Sequence, residues 1–244
     1  MVSAIRIAMW SGPRSLSTAM MRAWENRPDC EVWDEPLYPW WLKETGADHP
    51  GRDHILSHST DQLDLMDLCG RLSSGMSAPI TFQKHMSHHV LPSCPRDWMH
   101  DVRHAFLIRR PDRVLASLSK QLPAATTNDT GLPQQVELLY WLVEHDAPSV
   151  PVIDCDDILS APENMLRALC DALGVTFSPA MLSWPAGPRA SDGIWADWWY
   201  ERVRSSTGFG GVPSDVPVVP QAQQACLDQC WSLYDEMASL KITC

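Results

Sequence analysis

The chain has 244 residues, enough for one large α/β domain or two small ones with a sizeable core. A hydrophobic fraction of 45% with 20% charged residues is ordinary for a globular chain, and a net charge of −11 without a Lys/Arg run argues against nucleic acid and heparin-like partners. No apolar run reaches the ~18 residues of a membrane span. The stretch Met1–Met9 does not resemble a secretion signal, and the eight cysteines show no C-x-x-C pair or zinc-site spacing. A cytoplasmic protein with reduced thiols and no metal is expected.

Ile5, Ile7 and Met9 alternate with Arg6 and Ala8, the period of a strand, and a Gly12-Pro13 turn follows. From Leu16 the apolar residues recur as Leu16, Ala19, Met20, Ala23 and Trp24, one face of a helix. Further strands are expected at Cys30–Trp33, Pro79–Lys84, His104–Arg109 and Val150–Ile153. Helices are expected at Thr60–Leu72, from Pro111 to about Lys120, around Val136–Val143, at Pro162–Leu173 and at Gln221–Leu240. This alternation predicts one α/β domain: a three-layer fold whose mostly parallel central sheet is flanked by helices. The Gly-, Pro- and Trp-rich segment 187–220 reads as a lid or substrate loop of that domain.

Two stretches carry chemistry. A strand, a tight turn and a helix make a phosphate cradle, because the first amides of a helix are unpaired and its dipole favours an anion. Arg14 adds a planar donor fork, and Ser15, Ser17 and Thr18 add hydroxyls. The loop lacks the second Gly and the Lys of a Walker A sequence, which weakens an ATP-dependent kinase reading. In the second stretch, Arg109 closes a buried strand and Ser117 lies two turns along the following helix, so Arg109 points toward the crevice where open α/β sheets bind ligands.

Together these stretches resemble the sulfotransferases that use 3′-phosphoadenosine-5′-phosphosulfate. Arg14-Ser15-Leu16-Ser17-Thr18 is similar to that family's phosphosulfate loop, with Leu16 in place of the usual Gly. Arg109-Arg110-Pro111 through Ser117 is similar to its R-x-P-x-x-x-x-x-S segment, and Val152–Pro162 to a later strand element. The resemblance implies a P-loop-like fold and that phosphosulfate as co-substrate. It also implies Arg14, Ser15, Leu16, Ser17 and Thr18 around the 5′-phosphosulfate, and Arg109 with Ser117 on the 3′-phosphate. It further points to Arg204, Thr207 and Gly208 in a loop returning over the 3′-phosphate. A Leu in the first helical turn needs no positive φ and leaves the amides available.

Sulfuryl transfer to a hydroxyl or amine of a small acceptor needs a base and a cation for the leaving oxygen. Lys84 is the candidate cation, and the base is either His85 or Glu35. Adjacent residues in a strand face opposite ways, so only a bend would aim Lys84 and His85 into one cleft; His88 and His89 are alternatives. Trp33, Trp40, Trp41, Trp195, Trp198, Trp199 and Tyr200 suggest the wall for a small cationic or polyhydroxy acceptor. The partner expected is thus a small-molecule acceptor, with neither nucleic acid nor membrane. A homodimer is compatible with the sequence but is not written in it. The rival functions are a small-molecule kinase and a non-catalytic nucleotide-binding module.

Overall fold

The computed structural model describes residues 4–243 apart from 146, 148 and 216. Five strands form one sheet: β1 Ile5–Ser11, β2 Cys30–Asp34, β3 Ile80–Met86, β4 Arg103–Ile108 and β5 Val152–Asp154. Their order is β2-β3-β1-β4-β5, and every pair is parallel. The helices in chain order are α1 Ser17–Glu25, α2 Tyr38–Thr45, α3 Arg52–His58, α4 Leu65–Ser74, α5 Pro111–Leu118 and α6 Leu132–Glu144. They continue as α7 Cys155–Ser160, α8 Pro162–Ala172, α9 Ala196–Trp199, α10 Glu201–Arg204 and α11 Gln224–Ala238. This is the expected three-layer α/β architecture.

Strand periodicity sorts the core into two faces. Ile7 and Met9 of β1 pack with Met20, Met21 and Trp24 of α1 and with Leu166 and Leu169 of α8. Ala8 and Trp10, one residue out of phase, pack on the other side with Leu68 and Leu72 of α4, Leu138 and Leu142 of α6 and Met237 of α11. Among the described residues no helix is long and apolar enough to cross a membrane.

Two expected helices start later than the periodicity suggested. Thr60–Gln62 is a single 3-10 turn, and α4 starts after Asp64, whose carboxylate accepts from the amides of Met66 (3.0 Å) and Asp67 (3.1 Å). Gln221–Gln223 likewise forms a 3-10 turn ahead of α11. In the segment 187–220, of which residue 216 lies outside the described residues, Trp195, Ala196 and Tyr200 are buried against α2 and α3. Arg22 of α1 anchors the same segment through Asp192 (2.5 Å).

Register positions the site. Asp34 at the end of β2 is level with Lys84, and Ser11 at the end of β1 is level with Met86 and Leu107. The turns after β1, β2, β3 and β4 therefore leave the sheet side by side, at the carboxyl edge where such sheets take ligands. Gly12 is essential to this closure: a Cβ there would stand 2.0 Å from the Thr130 carbonyl oxygen, so the Asn128–Gly131 turn rests directly on the backbone of the first loop. Gly12→Ala is expected to lower the unfolding free energy by about 1–3 kcal/mol, the ordinary cost of overpacking. Urea denaturation checks this, and an unchanged midpoint would show that the two loops do not meet.

Candidate functional site: a guanidinium-lined loop beside a buried lysine

The Gly12–Leu16 turn differs from the sequence expectation at one residue. Leu16 is not in ordinary helical geometry: it is the residue before α1 and takes φ 57°, ψ 8°, the left-handed conformation. Arg14 also has a positive φ, 61°. Two non-glycine residues in this region are strained, which a loop tolerates when its neighbours over-determine it. Here the Leu16 side chain packs against the α1–α8 core, and Cys155 donates its thiol to the Ser15 carbonyl (3.1 Å). The alternation of Arg14 and Leu16 turns successive amides toward one concavity. Among the described residues, the amides of Arg14, Leu16, Ser17 and Thr18 have no acceptor within the protein. Ser15 and Ser17 are buried, and Thr18 is partly exposed on the first turn of α1.

Arg14 and Arg109 come together across this concavity. The Arg14 Nε donates to the Ser117 hydroxyl (2.9 Å), and the Arg109 Nη1 donates to the Arg14 carbonyl (2.5 Å). Burial holds the Arg14 pKa below its usual value, and the nearby charges of Arg109 and Arg202 lower it further. Converging cations without a carboxylate between them, next to unpaired amides, create a potential that an anion relieves. Arg202 is the addition that sequence reasoning missed. Arg204 is committed elsewhere, to Asp197 (2.7 Å). The Thr207 carbonyl accepts from the Trp184 amide (3.0 Å), and Gly208 bridges Ser183. None of these three hydrogen-bonds to Arg14, Arg109 or Ser117, and Arg202 of the same segment is the residue whose charge acts on Arg14.

The second part of the site is a buried ion cluster. Lys84 Nζ donates to Asp34 (2.9 Å), to Glu35 and to the Tyr200 hydroxyl (2.6 Å). Tyr200 donates in turn to Asp34 (2.7 Å), which also accepts from the Gly193 amide (2.9 Å). Burial alone would lower the Lys84 pKa, but the Asp34 and Glu35 charges outweigh it and the value is raised. For Glu35 burial dominates and raises the pKa, with Lys84 pulling the other way. Asp34 and Lys84 are 3% and 1% exposed, whereas Glu35 keeps 9%, the largest exposure in the cluster. Its backbone is also set apart, with φ 38°. Sequence reasoning found Lys84 and Glu35 but missed that they are partners. It also missed Tyr200 as the third member, because 116 residues separate it from Lys84.

His85 faces away from this cluster. Strand β3 runs unbent through Met86, so Lys84 lies on the α1 side of the sheet and His85 on the opposite side. There it stacks on Trp10 at 4.4 Å, its Nε2 pairs with the Gln83 side chain (3.1 Å), and burial depresses its pKa to about 3. It does not reach the cleft, and of the two candidate bases only Glu35 adjoins Lys84. Of the tryptophans, Trp40 is buried in the α4–α6 core and Trp33 stacks under Arg71 (4.9 Å). Trp41 and Trp199 approach His49 (5.1 and 6.0 Å), Trp195 donates to Tyr200 (3.3 Å), and Trp198 lies over Gly51. Among the described residues no group of three or more His, Cys, Asp or Glu side chains is arranged to hold a metal ion.

A parallel sheet whose first strand feeds an anion-accepting loop and helix, with a second arginine from a later strand closing on it, defines a P-loop-like group-transfer fold. Residues 5–240 match the sulfotransferase domain family, and the chain belongs to that family. Branched-chain-amino-acid aminotransferase-like protein 2 of Arabidopsis thaliana is 38% identical over 230 residues, covering 94% of this chain and 40% of that protein. Protein 1 of the same name and organism is 38% identical over 233 residues, covering 96% and 41%. The chain thus spans about two fifths of the curated relatives it matches. A sulfotransferase from Alicyclobacillus acidocaldarius shares the fold with a TM-score of 0.54 at 12% identity, covering 96% of each chain. The sulfotransferase domain from the curacin biosynthetic pathway does so with 0.53 at 16%, covering 99% of this chain and 93% of that one.

Removing Lys84 strands two buried carboxylates. Lys84→Met is expected to cost about 3–5 kcal/mol near pH 7. The deficit shrinks on acidification, because Glu35, whose burial raises its folded pKa, is stabilised by protonation and loses that stability as pH rises. Denaturant midpoints of both proteins near pH 5 and pH 7 check the sign. The buried imidazoles behave oppositely. With a folded pKa of about 3 against 6.5 unfolded, His85 contributes stability above 6.5 that is lost as pH falls toward 3. His85→Gln is therefore expected to reduce the loss of stability between about pH 7 and pH 5 by ~2 kcal/mol, read from the same midpoints.

Proposed function

We propose that the protein is a sulfotransferase that moves a sulfuryl group from 3′-phosphoadenosine-5′-phosphosulfate to a hydroxyl of a small acceptor. The observation that carries this reading is the convergence of Arg14, Ser117 and Arg109 at the same sheet edge as the Lys84–Glu35 pair. In it, the amides of Arg14–Thr18 and the Arg14 fork hold the 5′-phosphosulfate, and Arg109 with Ser117 holds the 3′-phosphate. Arg202 closes the cationic group. The acceptor oxygen attacks sulfur in line, an S–O bond forms, and the S–O bond to the 5′-phosphate breaks. The acceptor proton passes to Glu35, and adenosine 3′,5′-bisphosphate leaves with the bonding pair on its 5′-phosphate.

Lys84 has two tasks in this scheme. It keeps Glu35 in place despite burial, and it brings positive charge beside the oxygen that develops charge in the transition state. The transferred sulfuryl group carries less charge than a phosphoryl dianion, so clustered guanidiniums suffice and the reaction is written without a metal. The cytoplasm, with its reduced thiols, is the compartment assigned to it.

Transfer of radiolabelled sulfate from the phosphosulfate into a panel of small alcohols tests the reading. Glu35→Gln is expected to lower turnover about 10²–10⁴-fold, the range for loss of a general base. Arg109→Ala is expected to weaken adenosine 3′,5′-bisphosphate binding by about 10–100-fold, one charge-assisted hydrogen bond in calorimetry. Undiminished turnover in Glu35→Gln would remove the base. A wild-type protein that ignores the bisphosphate but binds ATP with magnesium would replace the function with that of a kinase.

A further inference from the structure

The turn Ser87–His89, directly after the strand that carries Lys84, holds polar atoms that the protein leaves unused. Ser87 Oγ, His88 Nδ1 and His89 Nδ1 are buried without a hydrogen-bond partner, although Ser87 is 0% and His89 2% exposed. Neither imidazole makes any hydrogen bond within the described residues. Buried polar groups are almost always paired, so three orphans on one turn are an unusual concentration. They adjoin the site. His89 stacks on Tyr38 at 4.9 Å, Tyr38 donates its amide to the Glu35 carbonyl (2.9 Å), and His88 Nδ1 lies 3.6 Å from where a Cβ of Gly131 would stand, beside the first loop.

The surroundings limit what can pair with these atoms. Burial lowers the His88 pKa to about 4 and that of His89 well below its usual value, so both rings are neutral and each offers one donor and one acceptor nitrogen. No free cation stands here to meet a carboxylate or phosphate: Lys84 is held by Asp34 and Glu35. Asp129 adds negative charge near His88 and His49. The aromatic faces that would hold an organic cation are already covered by imidazoles, Tyr38 by His89 and Trp41 by His89 (4.9 Å) and His49 (5.1 Å). His49, bonded to the Tyr38 hydroxyl at 2.9 Å, also lines a neighbouring surface depression of about 490 Å³ with Asp48, Arg52 and His54.

We propose that Ser87, His88 and His89, walled by Tyr38, Trp41 and His49, form the acceptor site and select an uncharged polyhydroxylated molecule of the sugar or cyclitol class. Hydroxyl groups both donate and accept, as neutral imidazoles and a serine do. This assignment rests on the sulfotransferase reading above and names its acceptor.

The test is binding of myo-inositol and glucose to the protein loaded with adenosine 3′,5′-bisphosphate, by calorimetry and tryptophan fluorescence, with choline as the cationic probe and lactate as the anionic one. Saturable polyol binding is expected, with choline and lactate weaker by about tenfold or more. His89→Phe keeps the stacked ring and removes both nitrogens. It is expected to hold or raise the unfolding midpoint while weakening polyol binding about tenfold, the worth of one hydrogen bond. Ser87→Ala provides a smaller probe of the same loss. Equal polyol affinity in wild type and both variants overturns the proposal, as does preference for choline or lactate. Bisphosphate binding with no polyol binding overturns the acceptor class alone; a protein that binds neither loses the donor reading as well.

Discussion

Lys84 sits 1% exposed between two carboxylates and a phenol, and this contact joins three parts of the chain that are far apart in sequence. Asp34 ends β2 and Glu35 follows it, Lys84 belongs to β3, and Tyr200 brings in the Trp-rich segment. One buried ammonium against two carboxylates leaves net negative charge, which the Gly193 amide and the Tyr200 hydroxyl spread over further donors. A cluster of this kind adds little net stability compared with apolar packing, yet breaking it is costly. Its consequence is positional. It holds Glu35, at φ 38° just outside the strand, beside Lys84.

The anion loop solves a different problem with the same economy. Its amides can converge only if alternate residues turn left-handed, and here Arg14 and Leu16 do so without glycine. Leu16 is held by the core beneath it and the Ser15 carbonyl by Cys155, so the strain is offset by packing outside the loop. Gly12 is retained for another reason, since any side chain there would collide with Thr130. Arg109, reaching back from β4 to the Arg14 carbonyl, ties the first loop to the later strand.

Much of this was legible in the sequence. Period-2 alternation marked β1, whereas β4 was marked by its continuous apolar run, because a strand covered on both faces loses the alternation. The adjacency of Lys84 and His85 already implied opposite faces, and the straight β3 places His85 against Trp10, where it is a packed ring. What the sequence could not show depends on long-range register. Nothing local marks Tyr200 as the partner of Lys84, or Arg202 rather than Arg204 as the residue whose charge acts on Arg14; Arg204 pairs with Asp197 of the preceding helix, α9. The left-handed Leu16 was hidden too, since a leucine carries no local signature of positive φ. The orphaned nitrogens of His88 and His89 are visible only once their neighbours are known.

One spatial relation decides the proposed chemistry: the Arg14–Arg109 groove must end at the carboxylate braced by Lys84. A crystal structure with adenosine 3′,5′-bisphosphate bound measures it directly. The account predicts the 5′-phosphate on the amides of Arg14–Thr18 with its outer oxygens turned toward Glu35, and the 3′-phosphate on Arg109 and Ser117. A nucleotide bound with its 5′-phosphate remote from Glu35, or with Arg109 contacting neither phosphate, would contradict it.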